Sequence, residues 1–176
     1  SRGDLLGLLE KIFEREQRFK ELIEILLAQA ERVGENEVKA VLHERAAALH
    51  VNQLNDPQTA IGLLVTARVL DPSRRSVLLT LERLFTSFER WEELIDTLER
   101  LASPADDAAR LEYYSRIGAL WDEKLGKLLE AVASWERARG LDASNLPAHE
   151  ALVSLYERTG QDELFVERAA ALAELV

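Results

Sequence analysis

The stretch AIGLLVTARVLDPS at 60–73 returns, little changed, as AVASWERARGLDAS at 131–144. Aligned without a gap at that offset of seventy-one, residues 45–85 and 116–156 share a run of identities. They include Arg45/Arg116, Ala48/Ala119, Leu49/Leu120, Leu54/Leu125, Ala60/Ala131, Ala67/Ala138, Leu70/Leu141, Asp71/Asp142, Ser73/Ser144, Leu81/Leu152 and Leu84/Leu155. The intervening stretches repeat too: FEREQRFKELIEILLAQA (13–30) aligns with FTSFERWEELIDTLERLA (85–102) at an offset of seventy-two, and LYERTGQDELFVERAA (155–170) follows with one residue deleted. A chain that repeats itself at a fixed period is built from modules too small to bury their own apolar faces, so neighbouring modules must stack.

Apolar residues recur at three- and four-residue spacing with no sustained alternation, which predicts helices and no strands. With only 4 prolines and 8 glycines, breakers cut the pattern into about ten segments: 4–16, 19–33, 37–54, 57–70, 74–88, 91–102, 106–125, 127–140, 146–159 and 162–175. Asp56 is placed to cap a helix with Pro57 at its first position, and Asp106 caps another after Ser103-Pro104. Gly34 is expected to end a helix in the left-handed conformation, and Gly126 and Gly160 to make tight turns. Such short connections fold consecutive helices into antiparallel hairpins, at about 4–33, 37–70, 74–102, 106–140 and 146–175. Alanines seven apart, Ala60 with Ala67 and Ala131 with Ala138, mark faces where a neighbouring helix approaches closely. The expected fold is all-α: a right-handed α-solenoid of about five hairpins, one continuous domain over 1–176. The opening SRGD, without methionine, reads as the start of a segment of a longer protein.

These residues resemble the tetratricopeptide repeat (TPR) family. Its second helix opens on a small residue, carries a large apolar residue and another alanine, and closes on Leu-Asp-Pro. Here Ala60, Leu64, Ala67 and Leu70-Asp71-Pro72 match that pattern, as do Ala131, Trp135, Ala138 and Leu141-Asp142, with Ala143 in place of proline. The family's turn glycine matches Gly126 and Gly160, its first-helix aromatic Phe13, Phe85 and Tyr156, and the aromatic after the turn Phe19 and Trp91. Hairpins two and four match best; elsewhere Leu22 and Leu94 stand where the family prefers alanine, and Glu82 where a small residue is usual. The resemblance implies a superhelix whose concave face, lined by the first helix of each hairpin, binds a partner peptide or helix. It turns Lys11, Arg45, Leu49, Asn52, Arg83, Tyr113, Arg116, Leu120, Glu123 and Lys124 inward. Leu49 and Leu120 occupy positions where the family's carboxylate clamp carries asparagine.

The net charge of −10 makes nucleic acid a poor partner, and with no cysteine there is no disulfide, thiolate nucleophile or cysteine-held metal. No apolar run reaches the roughly twenty residues of a membrane helix, and no signal segment opens the chain. Localisation stays open, cytoplasmic by default. His43 and His50 lie two helical turns, about 10 Å, apart, too far to chelate one ion, and His149 joins no cluster. Paired acids such as Glu92-Glu93 and Asp106-Asp107 read as caps and charge ladders, and no phosphate loop or nucleophile elbow occurs. The expectation is a protein–protein interaction scaffold or adaptor, not an enzyme, without cofactor or metal. Alternatives are a ligand-sensing domain with a pocket lined by Trp121, Trp135, Tyr113 and Tyr114, or an all-helical enzyme.

Lys11, Arg45, Arg83 and Arg116 bring cations to an acidic molecule, and arginine pairs carboxylates bidentately. An acidic peptide or chain terminus is one expected partner; the plainer expectation has Arg45 and Arg116 pairing with glutamates of adjacent hairpins. The end helices are more apolar than water-facing ends should be, with Leu5, Leu6, Leu8, Leu9, Ile12 and Phe13 at one end and Leu164, Phe165, Val166, Leu172, Leu175 and Val176 at the other. They point to flanking repeats or self-association.

Overall fold

The computed structural model describes the backbone of residues 2–175 and the side chains of residues 7–175; Leu5, Leu6 and Val176, counted above among the apolar end residues, lie outside those described side chains. Every regular element among the described residues is helical. In chain order these are α1 (Arg2–Arg15), α2 (Phe19–Arg32), α3 (Asn36–Asn52), α4 (Pro57–Leu70), α5 (Arg75–Ser87), α6 (Trp91–Ala102), α7 (Asp107–Ala119), α8 (Leu128–Leu141), α9 (Leu146–Arg158) and α10 (Asp162–Leu175). The chain divides into two compact units, Ser1–Leu84 and Phe85–Val176.

The repeat is reproduced at the level of single hydrogen bonds. Arg18, Arg90 and Gln161 each donate their backbone N–H to the carbonyl five residues back, on Phe13, Phe85 and Tyr156. The residue before each donor, Gln17, Glu89 or Gly160, is left-handed, with φ of 56°, 54° and 67°. This is the Schellman ending, in which a left-handed residue lets a late N–H reach back to an orphan carbonyl. In the first two copies the arginine also lies over the aromatic ring, 4.6 Å from Phe13 and 5.0 Å from Phe85. The third copy follows at a constant offset of seventy-one, so the deletion expected there is not needed. Asp71 and Asp142 likewise each accept from the backbone N–H and hydroxyl of the serine two residues on.

The expected caps form. Asp56 accepts from the Thr59 N–H at 3.2 Å and Asp106 from that of Ala109 at 2.9 Å. Gly34 behaves otherwise: α2 ends at Arg32 with Val33 extended (φ −80°, ψ 143°), so the chain leaves without a left-handed residue. The turn after α3 uses Asn55 at φ 50°, and its counterpart after α7 uses Gly126 at φ 64°. Where one continuous helix is expected over 106–125, α7 widens into a π-helical turn over Leu120–Lys124.

In the first unit α2 packs on α3, and α3 on α4. Leu22, Ile23, Leu26 and Ala30 of α2 join Leu42 and Ala46 of α3 in one buried cluster, edged by Phe13, Leu49, Leu54 and Leu63. In the second unit α6 packs on α7, α7 on α8, α8 on α9 and α9 on α10. Ala60, Ala67, Ala131 and Ala138 are fully buried, as close helix approach requires. At the next contact the two units solve the same packing problem differently. Ala47 and Leu64 of the first correspond to Gly118 and Trp135 of the second, and the Trp135 ring occupies the space that a side chain at 118 would take.

Ion pairs one hairpin apart brace the stack within each unit. Arg45 bonds Glu10 bidentately and Arg74 bonds Glu44. Lys127 bonds Glu92, Arg137 bonds Glu99 through both nitrogens, and Arg158 bonds Asp122. Each pair is partly exposed and worth about 0.2–1 kcal/mol, so the apolar contacts supply most of the stability and the pairs favour one register.

Candidate functional site

Each unit carries a cleft, and the two are built by equivalent residues. The first, about 210 Å³, is lined by Glu14 of α1, Leu22 and Leu26 of α2, Arg45, Ala48, Leu49 and Asn52 in the second half of α3, and Gln53 just after it. The second, about 230 Å³, is lined by Thr86 of α5, Trp91 and Leu94 of α6, and Arg116, Ala119, Leu120 and Glu123 of α7 and its π turn. Leu22 corresponds to Leu94, and Arg45, Ala48, Leu49 and Asn52 to Arg116, Ala119, Leu120 and Glu123. Glu14 corresponds to Thr86. The frame is the same twice: two leucines on facing helices, an alanine that keeps the floor open, and an arginine at the side.

Six of the ten residues singled out in the sequence line these clefts: Arg45, Leu49 and Asn52 in the first, Arg116, Leu120 and Glu123 in the second. Lys124 lies beside the second, its Nζ 5.4 Å from the centre of the Trp91 ring. Lys11 on α1 and Arg83 on α5 are exposed. Tyr113 is buried, at the position equivalent to core residue Leu42, and belongs to the interior. The second-helix walls, Leu22, Leu26, Trp91 and Leu94, were missed. Their signal was present, since Leu22 and Leu94 are the two leucines that depart from the alanine expected there.

Arg45 does what the plainer expectation held for it. Its Nη2 donates to Glu10 Oε2 at 2.7 Å and Nη1 to Oε1 at 3.3 Å, joining α3 to α1. Its fork is occupied, yet the Arg45 side chain remains 43% exposed, so the pair stands in a screened setting. Arg116 also interacts within the protein.

Among the described residues no three His, Cys, Asp or Glu side chains gather as metal ligands, and no helix is long and apolar enough to cross a membrane. The three histidines have separate surroundings. Burial lowers the pKa of His43, His50 Nδ1 lies 3.2 Å from Asp56 Oδ2, and buried His149 has Nε2 2.9 Å from the Ala143 carbonyl. The aromatic residues are engaged separately too: Trp135 over Gly118, Tyr114 under Arg137 at 3.8 Å, Trp121 under Lys127 at 4.9 Å.

Away from the clefts, α8 and α9 share a polar group. The Tyr156 hydroxyl donates to Glu136 Oε1 at 2.7 Å, and Arg139 donates to Glu136 Oε2 at 2.8 Å. Burial works to raise the Glu136 carboxyl, but these two bonds outweigh it and hold the group below its usual range. Burial first, then the bond to Glu136, pushes Tyr156 up to about 12.

Helical hairpins, repeated turns and a duplicated cleft define an all-helical repeat protein, a solenoid by class. Residues 77–112 match the model of the tetratricopeptide repeat. That match falls on α5, α6 and the start of α7, so the third hairpin, with Phe85 and Trp91 about its turn, carries it. By fold the chain is similar to the crystal structure of MamA, with 16% identity over 94% of this chain and 93% of that one and a TM-score of 0.51. MamA AMB-1 gives 18% identity, 98% and 97% coverage and 0.51. YrrB, a TPR protein with an unusual peptide-binding site, gives 18% identity, 85% and 74% coverage and 0.50. No curated protein matches the chain by sequence. One stretch of the chain thus matches a tetratricopeptide repeat by sequence, and the fold as a whole is similar to those of solved helical-repeat proteins.

Proposed function

We propose that this chain is a protein–protein interaction scaffold that receives a partner's segment in the two equivalent clefts and carries out no reaction of its own. The duplication is the observation behind the reading. A catalytic centre needs one convergent set of titratable groups, whereas here the same leucine walls, alanine floor and arginine recur in each unit. Two modest sites suit a partner that engages both, because linking weak contacts multiplies their affinity. The likeness to YrrB, a TPR protein with a peptide-binding site, supports the same reading.

The partner segment is acidic in this proposal. An aliphatic side chain enters between Leu22 and Leu49, or between Leu94 and Leu120, and a neighbouring carboxylate reaches Arg45 or Arg116. At Arg45 it exchanges with Glu10 instead of filling an empty site. A half-exposed pair is worth only about 0.2–1 kcal/mol, so the exchange is nearly neutral. Burial of the aliphatic side chain, about 1.5–3 kcal/mol when complete, then supplies the affinity.

Fluorescence anisotropy with a labelled peptide bearing two Leu-Asp pairs on a flexible linker tests this. Ala48→Trp/Ala119→Trp fills both clefts and weakens binding by about tenfold or more; Arg45→Glu/Arg116→Glu weakens it and removes its salt dependence. Equal affinity for the unaltered protein and both variants refutes the proposal.

A further inference from the structure

Gln53 directly follows α3 at the edge of the first cleft, and the residue seventy-one positions on, at the end of the π turn, is Lys124. Both are exposed, so neither side chain is fixed there by the needs of the core. Glutamine offers a donor and an acceptor and bonds an amide as readily as a carboxylate, whereas a lysine ammonium only donates and is charged. Lys124 Nζ rests 5.4 Å from the centre of the Trp91 ring, and Trp91 is a wall of the second cleft. Contact with a ring face holds a cation in place without neutralising it. Of the acids nearest in sequence, Asp122 is taken by Arg158, and Glu123 is an adjacent residue, which on a helical turn points another way. In the first unit the cation is engaged instead: Glu10 holds Arg45 through both terminal nitrogens. An acid arriving there must displace that carboxylate, so it gains little over an amide.

We infer that positions 53 and 124 set which segment each cleft takes: Lys124 makes the second cleft select a carboxylate beside the docked aliphatic side chain, and Gln53 leaves the first indifferent between carboxylate and amide. This rests on the docking reading above and deepens it, because it makes the partner's two docking segments unlike. The segment received by the second unit carries aspartate or glutamate next to its leucine. The segment received by the first carries asparagine or glutamine there without loss. A partner with one segment of each kind is then received better in one order than in the other. Exposure limits the size of the effect: a screened pair of this sort changes affinity by up to about fivefold.

The test separates the clefts. Ala119→Trp fills the second and leaves the first to report alone, and Ala48→Trp does the converse. Each chain is titrated by fluorescence anisotropy with two labelled peptides that differ in one residue, Leu-Asp in one and Leu-Asn in the other. With the first cleft open, the two affinities should match. With the second open, Leu-Asp should bind about threefold to fivefold more tightly, and raised salt should shrink that margin. There Lys124→Gln should abolish the preference and Lys124→Arg keep it, while Gln53→Lys should create it in the first cleft. Both positions are exposed, so no core contact is removed. Lys124→Gln in the otherwise unaltered chain should narrow the preference as well, which covers the case in which a filled cleft disturbs the fold. The same preference in both single-cleft chains, or one that survives Lys124→Gln, overturns the inference and assigns the selection to the arginines. Saturable binding of neither peptide to any of these chains overturns the docking reading itself, and this inference with it.

Discussion

Replacing Gly118 by alanine sets helix propensity against packing. Gly118 lies inside α7, where the change to alanine ordinarily stabilises by about 0.8–1 kcal/mol. Here the new Cβ would stand 2.6 Å from Trp135 Nε1, 2.7 Å from Cδ1 and 2.9 Å from Cε2. The obstacle is the body of an indole and not the tip of a flexible chain, and overpacking of this kind costs about 1–3 kcal/mol. The balance is a net loss of about 1 kcal/mol. Trp135→Leu alone removes the ring against Gly118 and leaves a void, losing about 2–3 kcal/mol. Combined, the two changes recreate the Ala47/Leu64 pair of the first unit, and alanine at 118 is then free to stabilise. Gly118→Ala should therefore destabilise the native chain and stabilise the Trp135→Leu chain, a coupling of about 2 kcal/mol. Urea unfolding of the four proteins, followed by far-UV circular dichroism, measures it. Stabilisation by Gly118→Ala in both backgrounds, or a coupling below about 0.5 kcal/mol, refutes the idea that the two residues were fitted to each other.

His149 stands where the other unit has Leu78, and its Nδ1 is buried without a partner, so His149→Leu should stabilise by about 1 kcal/mol, read as a higher melting temperature at neutral pH. Glu89 is left-handed at φ 54° where the third copy uses Gly160, and Glu89→Gly should gain about 0.5–1 kcal/mol in the same assay. The Tyr156–Glu136 bond sets limits at both ends of the pH scale. Glu136 has a lowered folded pKa, so its contribution is present above the ordinary carboxylate value and is lost as pH falls through the folded one. Tyr156, raised from 10.0 to about 12, contributes fully below pH 10 and loses that contribution as pH rises from there toward 12. Tyr156→Phe should cost about 1 kcal/mol at neutral pH and flatten the alkaline limb of a stability profile; an unchanged limb counts against the assignment.

The helices were legible because each boundary carries a local chemical signal: Asp56 with Pro57, Asp106 after a proline, and glycines at 126 and 160. Gly34 misled because a glycine permits a left-handed ending without requiring one, and extended Val33 closes α2 instead. The equivalent left-handed places at 17 and 89 hold Gln and Glu, which composition does not flag. Of the candidate site, the first-helix wall was legible and the second-helix wall was not. A helical period places residues on a face but does not phase one helix against the next. Tyr113 shows the same gap: at period alone it shares a face with Arg116 and Leu120, yet the repeat sets it at the register of buried Leu42.

The two clefts share a frame but do not present the same charge layout, which bears on how a partner would read them. Each is lined by one arginine and one acid: Arg45 with Glu14 in the first, Arg116 with Glu123 in the second. The acid comes from α1 in the first and from the π turn after α7 in the second, with Thr86 the uncharged counterpart of Glu14 and Asn52 that of Glu123. A ligand group placed between cation and acid therefore meets opposite helices in the two sites, and like charges brought together are penalised. A short acidic peptide should prefer one cleft over the other, seen as two unequal sites in a titration. Thr86→Glu/Glu123→Asn gives the second cleft the layout of the first, and the two affinities should converge. Two sites already equal in the unaltered chain would mean that the leucines alone govern docking and that the position of the acid carries no information.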